Sequence, residues 1–288
     1  MRKKYTTNEH KQKINDVLYY IFENLSSKLT IEELAIVSSY SPYHFQRIFK
    51  ENTGQSVIEY IKELRLQWSA NLLIFNPNST VTEISYHCGF KSSATFTNEF
   101  KKFYGCTPTK WRKEGYEEYK LKQIENKNEI DFSQIKIKKL DIIPIAYMRH
   151  FGYDKTISNT WQKFLYLLEK DFDITNPEML GFHHSNPTIT QLDKCRYVAC
   201  VKLEENQHIE AKGEIGLCNI EGGLYATIKH KGTYSDVLQL YTKIYHEWLP
   251  SSEFEAISSK AYTIYYKNHF TQEDGKFDLE FRIPVTYK

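Results

Sequence analysis

Hydrophobic side chains recur every three or four residues through most of residues 13–113. The clearest series are Val17, Ile21 and Leu25, then Ile58, Ile61 and Leu64, then Leu72 and Leu73. Such spacing places the apolar side chains on one face of an α-helix. This stretch is therefore predicted to be almost continuous helix, interrupted only by turns.

From Ile135 onward the pattern changes to short runs of β-branched and aromatic residues. These runs predict strands near residues 135–138, 145–148, 196–201 and 225–228. Helical patterns lie between them, at about residues 156–170 and 234–248. The second half of the chain is therefore predicted to be an α+β structure.

The segment between the two patterns, residues 115–134, is dense in Glu, Lys and Asn and poor in apolar side chains. That composition is typical of a linker. We therefore predict a multidomain protein, with an all-α domain over residues 1–114 and an α+β domain over residues 135–288. A length of 288 residues also fits two domains.

Charge divides unevenly between the two halves of the chain. The formal net charge is only +2, but residues 1–115 carry 16 basic and 11 acidic side chains, an excess of +5. The remainder carries 22 basic and 25 acidic side chains, an excess of −3. A modest basic excess in the helical half indicates an anionic partner there.

The cysteine pattern and the hydropathy favour a cytoplasmic protein. The five cysteines form no CxxC pair, so a disulfide framework or a zinc ribbon is not expected. No apolar run reaches the roughly 18 residues of a membrane span, and the charged first 13 residues do not resemble a signal peptide. Aromatic residues reach 15%, so we expect cores and pockets rich in rings.

The helical half contains one motif twice, about 50 residues apart. Each copy has a capping box, a pair of phenylalanines four residues apart in a later helix, and a closing glycine: Thr30 with Glu33, Phe45, Phe49 and Gly54, then Thr80 with Glu83, Phe96, Phe100 and Gly105. A short helix, a turn and a second helix form a helix-turn-helix. The chain is therefore predicted to carry two of them.

The second helix of each motif has a polar face that we predict to bind double-stranded DNA. Its residues are Tyr43, Gln46, Arg47 and Lys50 in the first motif, and Ser93, Thr97, Asn98 and Lys101 in the second. Arg hydrogen-bonds guanine and Gln hydrogen-bonds adenine in the major groove. The segment Val57–Phe75 is long enough for a helix of roughly 27 Å, which suits two successive major grooves about 34 Å apart.

Residues 8–113 resemble the DNA-binding domain of the AraC/XylS family. The resemblance lies in residues 41–54, in residues 89–102, and in the Thr107-Pro108 pair. It implies a transcription regulator, expected to be an activator, with RNA polymerase as a partner. The second recognition helix departs from the family pattern, since Ser93, Ala94 and Asn98 stand where Gln and Arg are common and Glu99 is acidic. Phosphate contacts and DNA shape are therefore expected to dominate there.

A second repeat lies in the α+β half. Residues 146–152 match residues 226–232 at an offset of 80, each ending in His-x-Gly, and the offset continues to pair Trp161 with Tyr241. Each copy is predicted to be a strand-helix-strand unit. Two pseudo-symmetric units imply a groove between them, which is a common ligand site.

Residues 135–288 resemble the GyrI-like effector-binding domain, in the domain order of Rob-like regulators. The resemblance lies in the two His-x-Gly motifs, residues 196–200, residues 222–226, residues 247–250 and residues 281–284. It implies that a small amphipathic or aromatic effector, often a cation, binds in the groove. The predicted ligand-binding residues are Trp161, Tyr197, Tyr225, Trp248, Tyr262, Thr263 and Tyr265. Thr263 stands where many relatives have a cation-binding Glu, so an uncharged effector is favoured unless Glu247 or Glu280 replaces that carboxylate.

No enzyme is expected. The sequence has no HExxH, GxSxG or phosphate-binding glycine loop, so no catalytic residue, metal ligand or cofactor is predicted. His183 and His184 are adjacent and would point to opposite faces of a strand, while His150 and His230 occupy equivalent repeat positions and are expected to be structural. Two alternatives remain open: a hydrolytic or ligand-sequestering module with secondary DNA binding, and a groove that docks another protein.

Overall fold

The computed structural model describes residues 2–76, 78–115, 130–187, 189–205, 207–257 and 261–288. The chain forms two compact units. The first unit contains residues 1–116 together with residues 211–216, and the second contains residues 117–210 and 217–288. Most of the predicted linker, residues 116–129, lies outside the described residues. Within the described part of the chain, no helix has both the length and the hydropathy needed to cross a bilayer.

The first unit consists of helices and turns. Its helices are α1 (Arg2–Glu23), α2 (Ile31–Val37), α3 (Pro42–Thr53), α4 (Val57–Phe75), α5 (Val81–His87), α6 (Ser93–Tyr104) and the short α7 (Pro108–Lys110), which continues into a π-helical turn over Trp111–Gly115. Helices α2–α3 and α5–α6 are the two predicted helix-turn-helix motifs. Both predicted capping boxes are present, because the Thr30 and Thr80 hydroxyls accept from the amides of Glu33 and Glu83.

Each motif has its own aromatic core. Phe45 and Phe49 pack edge to face at 5.7 Å between ring centroids, and Phe96 and Phe100 do the same at 5.4 Å. All four rings are fully buried. Trp111 completes the second core, where its indole donates to the Ala70 carbonyl at 3.2 Å. The four-residue spacing between the two rings of each pair therefore predicted the inner face of each recognition helix correctly.

Helix α4 serves both motifs. It follows α3 at the end of the first motif. In the second motif it occupies the position that α1 occupies in the first. An arginine clamp marks the equivalence: Arg65 donates to the carbonyls of Leu25 at 3.0 Å and Ser27 at 2.6 Å, in the turn that follows α1. Arg112 does the same for the second motif, since it donates to the Leu73 carbonyl of α4 at 3.1 Å. Arg112 thereby satisfies a carbonyl that the end of α4 leaves unpaired, and Arg65 fixes the turn that follows α1.

The turns inside the two motifs share one backbone path but differ in sequence. Ser39 and Gly89 both have positive φ, 54° and 78°, and their amides donate to Ile36 and Tyr86 respectively. A side chain is strained in that conformation. At Gly89 a β-carbon would also lie 2.8 Å from the Arg65 guanidinium. The second turn therefore requires glycine for two reasons, whereas the first accepts the strain of Ser39.

Replacing Gly89 with alanine is expected to lower the free energy of unfolding by more than the same change at Gly54. Gly54 has almost the same φ, 79°, and open space around a β-carbon, so Gly54→Ala measures the backbone cost alone, about 1 kcal/mol. Gly89→Ala adds the displacement of the Arg65 guanidinium from its clamp. Urea unfolding of the full chain measures both changes. Equal losses of stability in the two variants would show that displacing the Arg65 guanidinium does not destabilise the protein.

The second unit combines an antiparallel sheet with two long helices. Its strands are β1 (Lys136–Leu140), β2 (Ile143–Phe151), β3 (Met179–His183), β4 (Arg196–Lys202), β5 (Gly216–Ile220), β6 (Gly223–Thr233), β7 (Phe254–Ala256), β8 (Tyr262–Lys267) and β9 (Lys276–Tyr287). Its helices are α8 (Ile157–Phe172), α9 (Tyr234–Lys243), a π-helical turn over Ile244–Trp248, and the short α10 (Leu249–Ser251). The prediction of two repeated strand-helix-strand units is confirmed, and each unit has an additional strand at its beginning.

The first strands of the two repeats are exchanged. The strand order is β1-β6-β9-β8-β3-β4-β2-β5, with β7 on β9, so β1 pairs with a strand of the second repeat and β5 with a strand of the first. In a flat sheet β1 and β2 would lie roughly 29 Å apart, at about 4.8 Å per strand. The chain joins them between Leu140 and Ile143, a span of about 10 Å. The sheet must therefore curl until its two edges approach each other.

The two faces of the curled sheet have different contents. One face carries a single buried cluster from six strands: Ile145, Tyr147, Leu180, Phe182, Val198, Cys200, Ile220, Tyr225, Tyr262 and Ile264. The opposite face carries the helices, and Trp161, Phe164 and Leu168 of α8 are fully buried against it. Because side chains alternate along a strand, neighbouring residues of β8 belong to different faces.

Candidate functional site

The outward face of α3 presents the four side chains predicted to contact DNA. Tyr43, Gln46, Arg47 and Lys50 are all exposed, and Tyr43 has 81% of its surface open. The opposite face of the helix is fully buried. The Ser41 hydroxyl caps the helix by accepting from the His44 amide, with Pro42 at the first helical position. The helix is therefore anchored by its core and cap, and its polar face stays open.

Arg47 is held at this surface by its neighbours on the helix. Its guanidinium lies 3.2 Å from Nδ1 of His44 and 4.0 Å from the carboxylate of Glu51. The His44 ring packs edge-on against Tyr40, at 4.7 Å between centroids. An ion pair this exposed contributes little stability. Arg47 can therefore exchange Glu51 for a DNA group at small cost.

Helix α6 presents a smaller polar face. Asn98 and Lys101 are exposed, whereas Ser93 and Thr97 are half-buried. Glu99 does not stand free beside them, because Lys62 of α4 donates to its carboxylate at 2.8 Å and lowers its pKa. Sequence analysis treated Glu99 as an acidic neighbour of the DNA face and missed this partner, which lies 37 positions away in the chain.

The helix-bearing face of the sheet brings four of the predicted ligand residues together. The Trp161 indole donates to the Tyr197 hydroxyl at 3.1 Å, and the Tyr197 and Tyr265 hydroxyls share a hydrogen bond at 3.3 Å. Thr263 shares a hydrogen bond of 3.0 Å with Tyr241 of α9. Burial raises the pKa of Tyr197 and Tyr265 well above the ordinary value, so both remain protonated. All four side chains are buried. We keep the name groove for this face, between α8 and α9, where the sequence predicted a ligand site.

Three of the predicted ligand residues lie outside this face of the sheet. Tyr225 and Tyr262 are part of the cluster on the opposite face of the sheet, with ring centroids 5.5 Å apart. Tyr262 and Thr263 are adjacent on β8, so strand alternation forces them apart. Trp248 is half-buried at the end of the π-helical turn, where it stacks on Phe254.

Neither acidic residue proposed to replace the missing carboxylate lies beside Thr263. Glu280 is buried on the opposite face of the sheet, where Arg282 donates to it at 2.7 Å and Lys138 lies 3.6 Å away. Arg282 also donates to the Tyr262 hydroxyl at 3.0 Å. Glu247 is exposed to solvent. Glu280 therefore belongs to a structural ion pair.

The paired histidines of the repeats sit at strand ends. Nδ1 of His150 lies 2.8 Å from the Thr160 hydroxyl of α8, and the His230 ring packs against Phe277. Burial lowers the pKa of both imidazoles. His184 packs against Phe182, and the side chain of His183 lies outside the described residues. Across the described part of the chain, no three His, Cys, Asp or Glu side chains converge as a metal site would require.

Sequence analysis missed further groove residues. Tyr153 and Tyr234 follow the two His-x-Gly motifs, and His269 and Phe270 follow β8. The Phe270 ring lies 5.6 Å from that of Tyr197 and the His269 ring 5.9 Å from that of Tyr265, between centroids. Tyr153 also contacts Tyr197, and Tyr234 contacts the other three rings. The position of Tyr153 and Tyr234 just after the two His-x-Gly motifs was a signal that could have found them, but nothing local indicated His269.

Comparisons with known proteins assign both units. Residues 34–114 match the model of a helix-turn-helix domain, and residues 133–286 match the GyrI-like small molecule binding domain. The F1 operon positive regulatory protein of Yersinia pestis is 28% identical over 246 residues, 82% of this chain and 77% of that protein. The multiple antibiotic resistance protein MarA of Salmonella typhimurium is 34% identical over 99 residues, 34% of this chain and 77% of MarA. The crystal structure of the EcmrR C-terminal domain covers 54% of this chain and 98% of its own, at 15% identity and a TM-score of 0.44.

The double helix-turn-helix and its relatives define a DNA-binding transcription regulator of the AraC type. Over more than half of its length, the chain belongs to the GyrI-like small molecule binding domain family. Both predicted resemblances are thereby confirmed.

Proposed function

We propose that this regulator activates transcription in response to a small molecule bound in the groove. In this proposal residues 1–114 bind double-stranded DNA, residues 135–288 bind the effector, and residues 115–134 join them. The observation that carries the proposal is one chain with an open polar face on α3 and, on the sheet face between α8 and α9, a buried cluster of aromatic rings and hydroxyl groups.

The two recognition helices are proposed to contribute unequally. On α3, Arg47 and Gln46 offer the donors that read guanine and adenine edges, and Tyr43 and Lys50 border them. On α6, Ser93, Thr97, Asn98 and Lys101 are short or basic and suit phosphates. Pairing with Lys62 offsets the charge of Glu99, which would otherwise repel the DNA backbone.

Activation and contact with RNA polymerase are the finer parts of the proposal. Their support is the relative from Yersinia pestis, which is named a positive regulatory protein. The test is transcription in vitro from the promoters that flank the gene, with purified RNA polymerase and the full chain. Increased transcript is expected at a promoter that the protein also shifts in a mobility assay. Sequence-selective binding with reduced transcript would make it a repressor.

Replacing Lys101 with alanine is expected to weaken binding to every DNA sequence alike. A lysine that neutralises one phosphate releases about one counterion, so the slope of log K against log salt should fall by about 1. Binding isotherms at several salt concentrations measure the slope. Lys170→Ala, an exposed lysine of the second unit, is the control and should leave the slope unchanged. A sequence-dependent loss at Lys101 would instead indicate base contact.

A further inference from the structure

An unpartnered polar side chain lies within the groove. His269 exposes 6% of its surface, and neither of its ring nitrogens has a hydrogen-bond partner among the residues that the structure describes. Its ring is surrounded by aromatic rings, with centroids 4.0 Å away at Phe270, 5.5 Å at Phe277, 5.7 Å at Tyr234 and 5.9 Å at Tyr265. Folded proteins pair nearly all buried polar groups, so such a side chain calls for a specific explanation.

The chemistry of this imidazole is defined by its surroundings. Burial lowers its pKa to about 4, so the ring is neutral at physiological pH. A neutral imidazole offers one hydrogen-bond donor and one acceptor. It can therefore bind a group that donates, accepts or does both, and it brings no charge to attract an ion.

The titratable groups nearest the imidazole are also uncharged. Burial raises the pKa of Tyr153, Tyr241 and Tyr265 well above the ordinary value, and that of Tyr234 to about 12. The titratable groups that act on the Tyr153 phenol are other tyrosines and a cysteine. Asp154, which influences Tyr234, is exposed at the rim. An ionic ligand bound here would lose its hydration without gaining a counter-ion.

Tyr234 covers the cluster from outside. It is half-buried, it begins α9, and its hydroxyl donates to the main-chain carbonyl of Tyr153 at 3.3 Å. The two rings stack at 28° with centroids 6.3 Å apart. Rotation of the Tyr234 side chain would break this hydrogen bond and its ring contacts with Tyr153, His269 and Phe270, and would uncover the ring faces that these contacts hide.

We propose that the groove binds an uncharged aromatic molecule carrying one hydrogen-bonding group, such as a phenol or an aryl carbonyl, which His269 binds and the Tyr234 ring covers. This inference rests on the proposed function, in which the groove is the effector site. It makes His269 the residue that selects the ligand by its polar group.

Three probes of similar size test the assignment on the full-length protein at pH 7.5, by calorimetric titration. They are 2-naphthol, 2-methylnaphthalene, which lacks a hydrogen-bonding group, and 2-naphthylmethylammonium, which is a cation. We expect 2-naphthol to bind at least about tenfold more tightly than the other two. His269→Phe should remove that preference while binding of 2-methylnaphthalene persists. His269→Gln keeps a donor and an acceptor and should retain the preference.

The outcomes separate this inference from the proposed function. Folding of each variant is checked by its circular dichroism and by its affinity for DNA. If the cation binds as tightly as 2-naphthol, or if His269→Phe keeps the preference for 2-naphthol, the proposed role of His269 is contradicted. The proposal that the groove is an effector site is then unaffected. If none of the probes binds the wild type, both the inference and the groove as an aromatic-binding site are contradicted.

Discussion

Replacing Arg47 with alanine is expected to weaken binding to the specific DNA site by about 1 to 3 kcal/mol, roughly five- to 150-fold. The preference for one base pair should be lost with it. The reason is the position of Arg47 on the open face of α3, where an exposed ion pair with Glu51 and a contact with His44 compete for the guanidinium. Binding isotherms against the site and its single-base variants measure both effects.

Arg47→Lys is the matched control for that experiment. Lysine keeps the positive charge but lacks the planar fork that binds guanine at two atoms. We expect Arg47→Lys to retain the salt dependence of the wild type and to lose most of the base preference. If Arg47→Ala instead weakens all sequences equally and lowers the salt slope by about 1, Arg47 contacts a phosphate and does not read a base.

Lowering the pH from 7.5 to 5 is expected to cost the second unit about 2 kcal/mol of stability through His269 alone. In the unfolded chain this imidazole takes up a proton near pH 6.5, whereas in the folded chain its pKa is about 4. Between these values the unfolded state binds more protons. The stabilisation is therefore complete above pH 6.5, falls as the pH drops, and reaches a loss of about 3 kcal/mol below pH 4.

His269→Phe isolates this contribution. Urea unfolding of the full chain at several pH values, with amide exchange along β8 as a report on the second unit, gives the stability of both proteins. His246, whose pKa burial lowers to about 3, titrates in both and cancels in the comparison. The wild type should lose about 2 kcal/mol more than the variant between pH 7.5 and pH 5. Equal losses of stability in the wild type and the variant would show that His269 takes up a proton as readily in the folded chain as in the unfolded chain.

The helical unit could be predicted closely because its signals are local. Helix α4 spans Val57–Phe75, the residues that the apolar spacing indicated, and the capping boxes and closing glycines mark their own positions along the chain. Tertiary partners were not visible in the same way. The pairing of Glu99 with Lys62 and the clamp of Arg65 on the turn that follows α1 depend on where helices pack.

The sheet was harder to predict for a physical reason. Strands β3 and β5 are five residues each and contain a glycine, so neither shows a clear alternating pattern. Aromatic side chains suit both faces of a buried sheet, and residue type alone could not assign Tyr262 to one face and Tyr265 to the other. His269 lies in a turn and owes its burial to rings from distant segments.

The exchange of β1 and β5 between the two repeats restricts how the second unit can respond to a ligand. Each half contributes its first strand to the sheet of the other half. The short connections that follow these strands are Leu140–Ile143 and Ile220–Gly223. A hinge motion that separates the two halves would break all the hydrogen bonds that pair β1 and β5 with strands of the other repeat. We therefore expect the sheet to keep its strand order if a ligand binds, and the structural response to lie in side chains and helix positions.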